Sequence, residues 1–352
     1  MGGQTCVGLG YGGGTLACEV TMCQFDESGC GYGWEEQQTP ELTYAYNDIY
    51  FVDTDNGWAV GDIGKIVHTT DGGENWSEQT SGTAGNLNSV YFVDADNGWA
   101  VGEADSHSNG GGLIMYTSNG GSSWDFRDSS ACAFDRDLNS VDFIDANEGW
   151  AVGEDGRVCH TVNGGDDWTF VDIETTQTLS QVFFNDDGLH GWIATYGGIL
   201  KVYYTIDGGD TWDYSILHTG ESGYIPSIYF INNLQGWATT HIGTLYYTDD
   251  GGISWTHVDS PPPFSVESIF FIDENEGWMV GWEGKIYHTT SARSLPRLDN
   301  WEQQPQPLRD NIDFKSVFFI DNLHGYVTGR VLYGSDRDRL IMYTETGGEY
   351  IE

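Results

Sequence analysis

One dipeptide recurs along this chain at intervals that few folds can use. Gly-Trp occurs at Gly57-Trp58, Gly98-Trp99, Gly149-Trp150, Gly191-Trp192, Gly236-Trp237 and Gly277-Trp278, and a seventh copy reads Gly325-Tyr326. Successive copies lie 41, 51, 42, 45, 41 and 48 residues apart. A period of about 40–50 residues suits a propeller blade, a four-stranded unit that buries its faces only against its neighbours. Each unit has one internal order, clearest in the second copy. An apolar strand (89–93) leads into an acidic turn (94–98), then a second strand (99–102) and a loop of variable length. A third strand (113–117) enters a glycine-rich turn ending at Trp124, where the fourth strand starts. No helical periodicity competes with this pattern. The chain is therefore expected to be all-β, a seven-bladed β-propeller of four-stranded blades.

The turn before the fourth strand is the most specific motif. In the first unit it reads Thr69-Thr70-Asp71-Gly72-Gly73-Glu74-Asn75-Trp76. Related copies run from Asn119 to Trp124, Asn163 to Trp168, Asp207 to Trp212 and Asp250 to Trp255. This motif resembles the Asp-box, or bacterial neuraminidase repeat. Its Asp or Asn side chain can accept turn N–H groups, its glycines tolerate positive φ, and its tryptophan is expected to pack between strands or blades. Two units depart from it. The sixth replaces the glycines with residues 292–296 and restarts near Trp301, while the seventh puts Thr346 and Tyr350 where Asp and Trp are expected. The seventh unit also stops too early for an outer strand. Trp34-Glu35-Glu36-Gln37-Gln38 looks like a fourth strand without a blade, similar to Trp76 onward and Trp301 onward. The expectation is that this N-terminal strand completes blade seven and closes the ring, removing the exposed sheet edges. Residues 1–33 then form a separate Gly/Cys-rich segment and 34–352 the propeller.

Charge narrows the partners. The chain carries 54 acidic and 13 basic residues, a formal net of -41, with the acids spread along its whole length. Such a surface repels nucleic-acid phosphates and anionic lipid headgroups. It suits solvation, a saline setting or a basic partner. No stretch approaches the ~20 apolar residues of a membrane span, and the start lacks a signal-peptide pattern, which fits a mature or trimmed form. Four of six cysteines (Cys6, Cys18, Cys23 and Cys30) crowd into the first thirty residues without C-x-x-C spacing. They are disulfide candidates with three alternative pairings, and they point to an extracellular or periplasmic protein. Cys132 and Cys159 could be paired or simply buried.

The stretch from Phe51 through Gly57-Trp58-Ala59-Val60-Gly61, followed by the turn to Trp76, resembles the photosystem II assembly and stability factors of cyanobacteria and chloroplasts. Similar repeats cover residues 34–352. The resemblance implies a non-catalytic, seven-bladed protein of the lumen or periplasm that assists assembly of membrane complexes. Those members are associated with an arginine-rich patch that engages the client. Here only Arg330, Arg337 and Arg339 group together, beside Asp336 and Asp338, so the extrapolation is a scaffold for another partner.

Enzyme readings find less support. A sialidase would need a three-arginine clamp and an early Phe/Tyr-Arg-Ile-Pro motif; the motif is missing, and too few arginines fall in separate blades to form a clear triad. Xyloglucan-cleaving enzymes use two propellers with carboxylates across the cleft between them, whereas this chain has one. The acidic turns at Asp53 and Asp94 partly resemble calcium loops, but the twelfth position after Asp53 is Gly64 rather than Glu. A hairpin turn with glycine in the left-handed region is the simpler expectation. His68, His160 and His288 occupy third-strand positions where other units place tyrosine, which points to packing. No metal, cofactor or catalytic residue is predicted.

Binding is expected in the loops between second and third strands and in the inter-blade connections, which share one face in a propeller. The candidates are Asp62, Glu103, Asp155, His241, Trp282, Glu283, Arg330 and Tyr333, with His107 and Glu154 nearby and Tyr44, Phe134, Tyr224 and Phe264 in the connections. Acids with exposed aromatics suit a basic peptide or a sugar. The leading reading is an exported, non-catalytic scaffold for a protein partner. The alternatives are an extracellular carbohydrate-binding or glycoside-cleaving propeller, and a self-assembling structural subunit of a surface assembly.

Overall fold

The computed structural model describes residues 33–40, 45–103, 112–133, 135–217, 222–258, 264–292, 301–307, 312–332 and 339–349. The four N-terminal disulfide candidates, together with Tyr44, His107, Phe134 and Tyr333, lie outside them. Seven antiparallel sheets of four strands form a propeller, and the fourth sheet gains a fifth strand. Blade one is Tyr46–Phe51, Gly57–Gly61, Lys65–Thr69 and Ser77–Thr80, from the centre outward. Blade seven combines Ile312–Phe319, Gly325–Val331 and Arg339–Thr344 with Glu35–Glu36 from the other end of the chain. Glu35 pairs with Tyr343 and Glu36 with Met342, so the N-terminal strand closes the ring as expected.

Closure goes beyond the strand. In blade one Trp76 stands edge-on to Phe51, at 6.0 Å and 85°. Trp34 occupies the matching place in blade seven, edge-on to Phe319 at 5.8 Å and 88°, fully buried. Its Nε1 donates to Gln304 Oε1 at 2.8 Å, and Gln304 Nε2 donates to the Gly347 carbonyl at 2.7 Å. Gln79 makes the same pair of contacts to Trp124 and Gly120 between blades one and two. The seventh blade thus obtains its turn tryptophan from residue 34.

The Gly-Trp step holds the ring together in two ways. Tryptophan stacks on the inner-strand phenylalanine of the next blade: Trp58 on Phe92 and Trp99 on Phe143 at 3.6 Å, with Tyr326 on Phe51 at 3.8 Å across the closing seam. Such ring pairs add about 0.5–1.5 kcal/mol each beyond the area they bury. In four of the six tryptophans the indole N–H also reaches the next blade's glycine turn, as from Trp58 to the Gly120 carbonyl and Trp99 to the Gly164 carbonyl; the Tyr326 hydroxyl does the same to Gly72. The glycine's role differs from the expectation. Gly57 and its six counterparts have no positive φ. Each lies opposite a phenylalanine, Gly57 facing Phe51, whose ring fills the space a Cβ would need. Sterics across the hairpin, not turn conformation, demand glycine there. Positive φ belongs instead to the second turn, with Gly72 at 67° and Gly73 at 87°.

A hydrogen-bonded ring runs around the centre. At one inner-strand position, six of the seven blades present an acceptor to a backbone N–H of the next. Asp48 takes Val90 N–H, Ser89 takes Val141 N–H, Ser140 takes Val182 N–H and Gln181 takes Ile228 N–H. Ser227 takes Ile269 N–H and Ser268 takes Val317 N–H. Ser316 Oγ then donates to Asp48 Oδ1 at 2.9 Å, completing the circuit. Cys132 and Cys159 form a disulfide that ties the short helix Ser130–Ala133 to the third strand of blade three.

Candidate functional site

The propeller has two unlike faces. One, the turn face, carries the acidic hairpins and the glycine turns. There Asp53 Oδ1 accepts the Asp55 and Asn56 N–H groups at 2.9 and 2.7 Å, and Asp94 does the same for Asp96 and Asn97. In the second turn, Asp71 Oδ1 accepts Asn75 N–H at 2.8 Å, while Thr69 Oγ1 takes Gly73 N–H at 2.9 Å. Asn119, Asn163, Asp207 and Asp250 repeat this bond at 2.9–3.0 Å. Trp124, Trp168, Trp212 and Trp255 stand edge-on to their own blade's phenylalanine at 5.9–6.0 Å. Burial acts against ionisation of Asp187, yet N–H donors from Leu189 and His190 outweigh it and pull the carboxyl down to about 2. These carboxylates are occupied by their own turns.

The opposite face, the loop face, is built from tight turns after the second strands. In blades one, three and six these are Asp62–Gly64, Glu154–Gly156 and Trp282–Gly284. Their middle residues Ile63, Asp155 and Glu283 sit in the left-handed region, at φ 51°, 52° and 61°. That conformation is uncommon outside glycine. Each turn is anchored by its first N–H to the preceding inter-blade connection: Asp62 to Ala45 O, Glu154 to Asp137 O and Trp282 to Ser265 O. Connections and loops therefore do share this face.

Blade four breaks the pattern. Its second strand runs on through Gly191–Ile199 and pairs with an extra strand, Ser222–Tyr224, from the connection to blade five. Tyr196 and Tyr224 lie opposite each other, their rings stacked at 4.5 Å. Tyr224 in turn stacks on His241 at 4.9 Å. Tyr196 and Tyr224 border a depression of about 420 Å³ that Glu154, Ser180, Pro226 and Glu267 also line. Glu267 Oε1 accepts Trp282 Nε1–H at 2.5 Å, and Glu267 Oε2 lies 3.6 Å from Lys315 Nζ. Burial, then the charge of Glu267 and the neighbouring Tyr196, raises the Tyr224 hydroxyl above its ordinary value. Tyr196 and Trp282 remain 49% and 44% exposed, so aromatic surface faces solvent beside two carboxylates. Such a surface can grip an ammonium or guanidinium head, or stack on a sugar ring.

Two predicted residues, Glu154 and Tyr224, line this depression, and two more adjoin it, His241 through its stack on Tyr224 and Trp282 through its bond to Glu267. The other described candidates are dispersed around the ring. Asp62 accepts from Asn47 Nδ2 at 3.2 Å, Glu103 from Asn86 Nδ2 at 3.0 Å, and Asp155 from Arg136 Nε at 2.5 Å. Arg330 pairs with Asp313 at 3.3 Å, and Glu283 is exposed on its turn. Sequence reasoning missed Tyr196 and Glu267. The Gly197-Gly198 pair after Tyr196 was the signal available, since it interrupts the repeat with an extended hairpin.

Other cations are engaged locally. Arg127 lies over the Tyr116 ring, Arg157 over Phe170 and Lys201 over Tyr214. His68, His160 and His288 stack on Trp58, Trp150 and Trp278 at 4.5, 3.9 and 4.5 Å. Among the described residues no three His, Cys, Asp or Glu side chains converge as metal ligands, and no helix is long and apolar enough to cross a membrane.

Comparison with known proteins agrees with this architecture. The family described as photosynthesis system II assembly factor YCF48 matches residues 16–108, 86–176 and 166–295. A solved structure of YCF48 bound to D1 peptide is 19% identical, covers 89% of this chain and 97% of that one, and superposes with a TM-score of 0.68. YCF48 from Cyanidioschyzon merolae is 20% identical over 89% of this chain and 98% of its own, with a TM-score of 0.70. A GH74 enzyme from Niastella koreensis is 12% identical, covering 87% of this chain but 55% of that one, with a TM-score of 0.65. No curated protein matches by sequence. At these identities the solved structures establish the fold, while the family match spans most of the repeats. The chain belongs to the photosynthesis system II assembly factor YCF48 family.

Proposed function

We propose that this protein is a non-catalytic assembly scaffold that binds an extended segment of a protein partner in the loop-face depression between blades three and six. The observation that carries this reading is the stack of Tyr196, Tyr224 and His241 beside Glu154 and Glu267. It combines flat apolar surface with negative charge on an otherwise repetitive ring. A family member bound to D1 peptide supports a protein ligand. Partner chemistry here is basic, because the net charge is -41 and Arg127, Arg136, Arg157 and Arg330 are each engaged within the chain. Placement outside the cytoplasm is part of the proposal, supported by the Cys132–Cys159 disulfide.

The test is affinity capture from the native source at low and high salt, with wild type and a Tyr196→Ala/Tyr224→Ala double variant. A protein retained by wild type, released by salt and lost from the variant supports the proposal. Equal capture by both proteins removes the depression from it. Recovery of self-copies alone would favour the structural-subunit alternative.

A second reading rests on one observation. Glu154 and Glu267 line the same depression, as a glycosidase's carboxylates would. Hydrolysis of β-glucan oligosaccharides by wild type, abolished in Glu267→Gln, would establish it. Absence of turnover leaves the scaffold.

A further inference from the structure

The centre of the ring holds a feature that neither the strand lattice nor the loop face uses. At one tier of the channel, each inner strand points a side chain inward, and six of the seven are aromatic: Tyr50, Tyr91, Phe183, Tyr229, Phe270 and Phe318. Neighbouring rings touch around this girdle. Tyr91 and Tyr50 lie 4.7 Å apart, Tyr50 and Phe318 5.2 Å, Phe318 and Phe270 5.4 Å. Phe270 and Tyr229 follow at 4.8 Å, and Tyr229 and Phe183 at 5.5 Å. The girdle is interrupted once, between Tyr91 and Phe183, by Asp142. Together these residues line a cavity of about 360 Å³.

A carboxyl group is a costly choice at that position. Asp142 is 6% exposed, and its Oδ2 accepts the Phe184 N–H of the next blade at 2.6 Å. Ser89, Ser140, Ser227 and Ser268, one tier away, show that a hydroxyl suffices to accept an inter-blade N–H. The anchoring bond therefore does not require an acid. An ionisable group set among aromatic faces answers a different need, because ring faces and carboxylate both attract a cation and both exclude an anion.

The route to it is marked as well. Phe183, Phe184, Tyr229 and Asp186 line both this cavity and a second depression of about 420 Å³ that opens on the turn face. Asp186 thus stands where the channel meets its mouth. Asp187 and Asn233 border the same opening and bond to each other at 2.7 Å. An entrance bearing carboxylates draws cations inward.

We propose that the central channel is a binding site for an organic ammonium ion, held between the Asp142 carboxyl and the surrounding aromatic faces and admitted past Asp186 from the turn face. A bare divalent metal fits poorly, since it demands several converging oxygen ligands and none gather among the described residues. The ionisation of the site is consistent with this use. Burial, only partly offset by N–H donors from Phe184 and Phe143 and reinforced by the charge of Asp186, pushes the Asp142 carboxyl up to about 8. Tyr50, beyond Tyr91 in the same girdle, is pushed up to about 12 by burial and remains neutral. Asp48 faces the channel one tier further along, raised by burial and held by Val90 N–H and the Ser316 hydroxyl. An incoming ammonium ion would therefore drive a proton off Asp142. The site lies at the opposite mouth from the loop-face depression and does not rest on that reading.

The test is calorimetric titration of the full chain at pH 7 with n-butylammonium chloride, against butan-1-ol and sodium chloride as controls. It uses wild type and Asp142→Asn, which keeps an acceptor for the Phe184 N–H. The expected result is saturable one-to-one binding of the amine alone. It should be accompanied by proton release, read as a dependence of the heat on buffer ionisation enthalpy, and weakened at least tenfold in Asp142→Asn. Thermal denaturation of the variant checks that the ring is intact. No saturable binding by wild type, equal affinity for butan-1-ol, or equal affinity in a folded Asp142→Asn protein would each overturn the proposal. An acetyl-Gly-Lys-Gly-amide peptide separates the sources. Tighter binding than n-butylammonium assigns the site to a lysine side chain of a partner, and weaker binding assigns it to a free amine.

Discussion

The interfaces between blades and the depression on the loop face are made from the same residue types, yet they obey different rules. Between blades, an aromatic ring stacks on an aromatic ring from Trp58 onward to Tyr326 at the seam, and in five of the seven interfaces its N–H or O–H also finds a carbonyl. In the depression and at its edge, Tyr196, Tyr224, His241 and Trp282 occur once each and leave ring surface open to solvent. Repetition accompanies burial, and singularity accompanies exposure. Side chains that serve the ring are constrained by seven similar neighbours, whereas those of the depression are not, which is where a ligand can be accommodated.

That contrast can be broken most forcefully at the seam. Trp34→Ala removes a fully buried indole and the Gln304 bond, and should cost about 3–5 kcal/mol in chemical denaturation, as for large-to-small aromatic changes in cores. A loss below about 1 kcal/mol would mean that the seam carries little of the ring's stability. Next comes the channel carboxyl. Its folded value lies far above the 3.8 of an ordinary Asp, so its contribution to stability is fully present below that value and is lost as pH rises towards about 8. Stability should fall across this window with a slope on the order of 1 kcal/mol per pH unit, and Asp142→Asn should flatten it. Parallel curves for the two proteins would refute the assignment. On the turn face, Asp71→Ala deletes the bonds its carboxylate accepts from Asn75 N–H, Asn75 Nδ2 and the Thr69 hydroxyl, all on an exposed turn, and should cost about 1 kcal/mol. At the small end, Tyr196→Ala should change stability by less than about 0.5 kcal/mol while weakening capture of the partner. A larger loss of stability would place Tyr196 with the lattice instead.

The ring was legible in the sequence because its units had to repeat. Gly57 cannot bear a side chain beneath Phe51, and the same conflict arises in each of the seven blades, so the Gly-Trp period stands out by eye. Even the closing strand could be read, since Trp34-Glu35-Glu36-Gln37 looks like Trp76 onward. The reason for the glycine was not legible: a sequence shows that a residue recurs, not that a ring crosses it. The site was harder still. Asp62, Glu103 and Asp155 lie on the expected face, but each is bound to a side chain from the start of its own blade or the connection leading into it, a pairing made by the folded hairpin. Tyr196 and Glu267 line one depression because blade four grows a strand that no other blade shows among the described residues, a juxtaposition of blades four and six that no local pattern records.

The seam also sets an order of events. Trp34 meets Gln304 across 270 residues, and Asp48 meets Ser316 across 268. A ribosome releases residues 34–48 long before either partner exists, so the first-made strand of the propeller is the last to find its place. Until then one blade's edge stands open, the state in which a β-sheet protein is most exposed to wrong pairing. The acids along this chain give every such intermediate the same sign of charge, and like charge keeps open rings apart while they wait for the final strand.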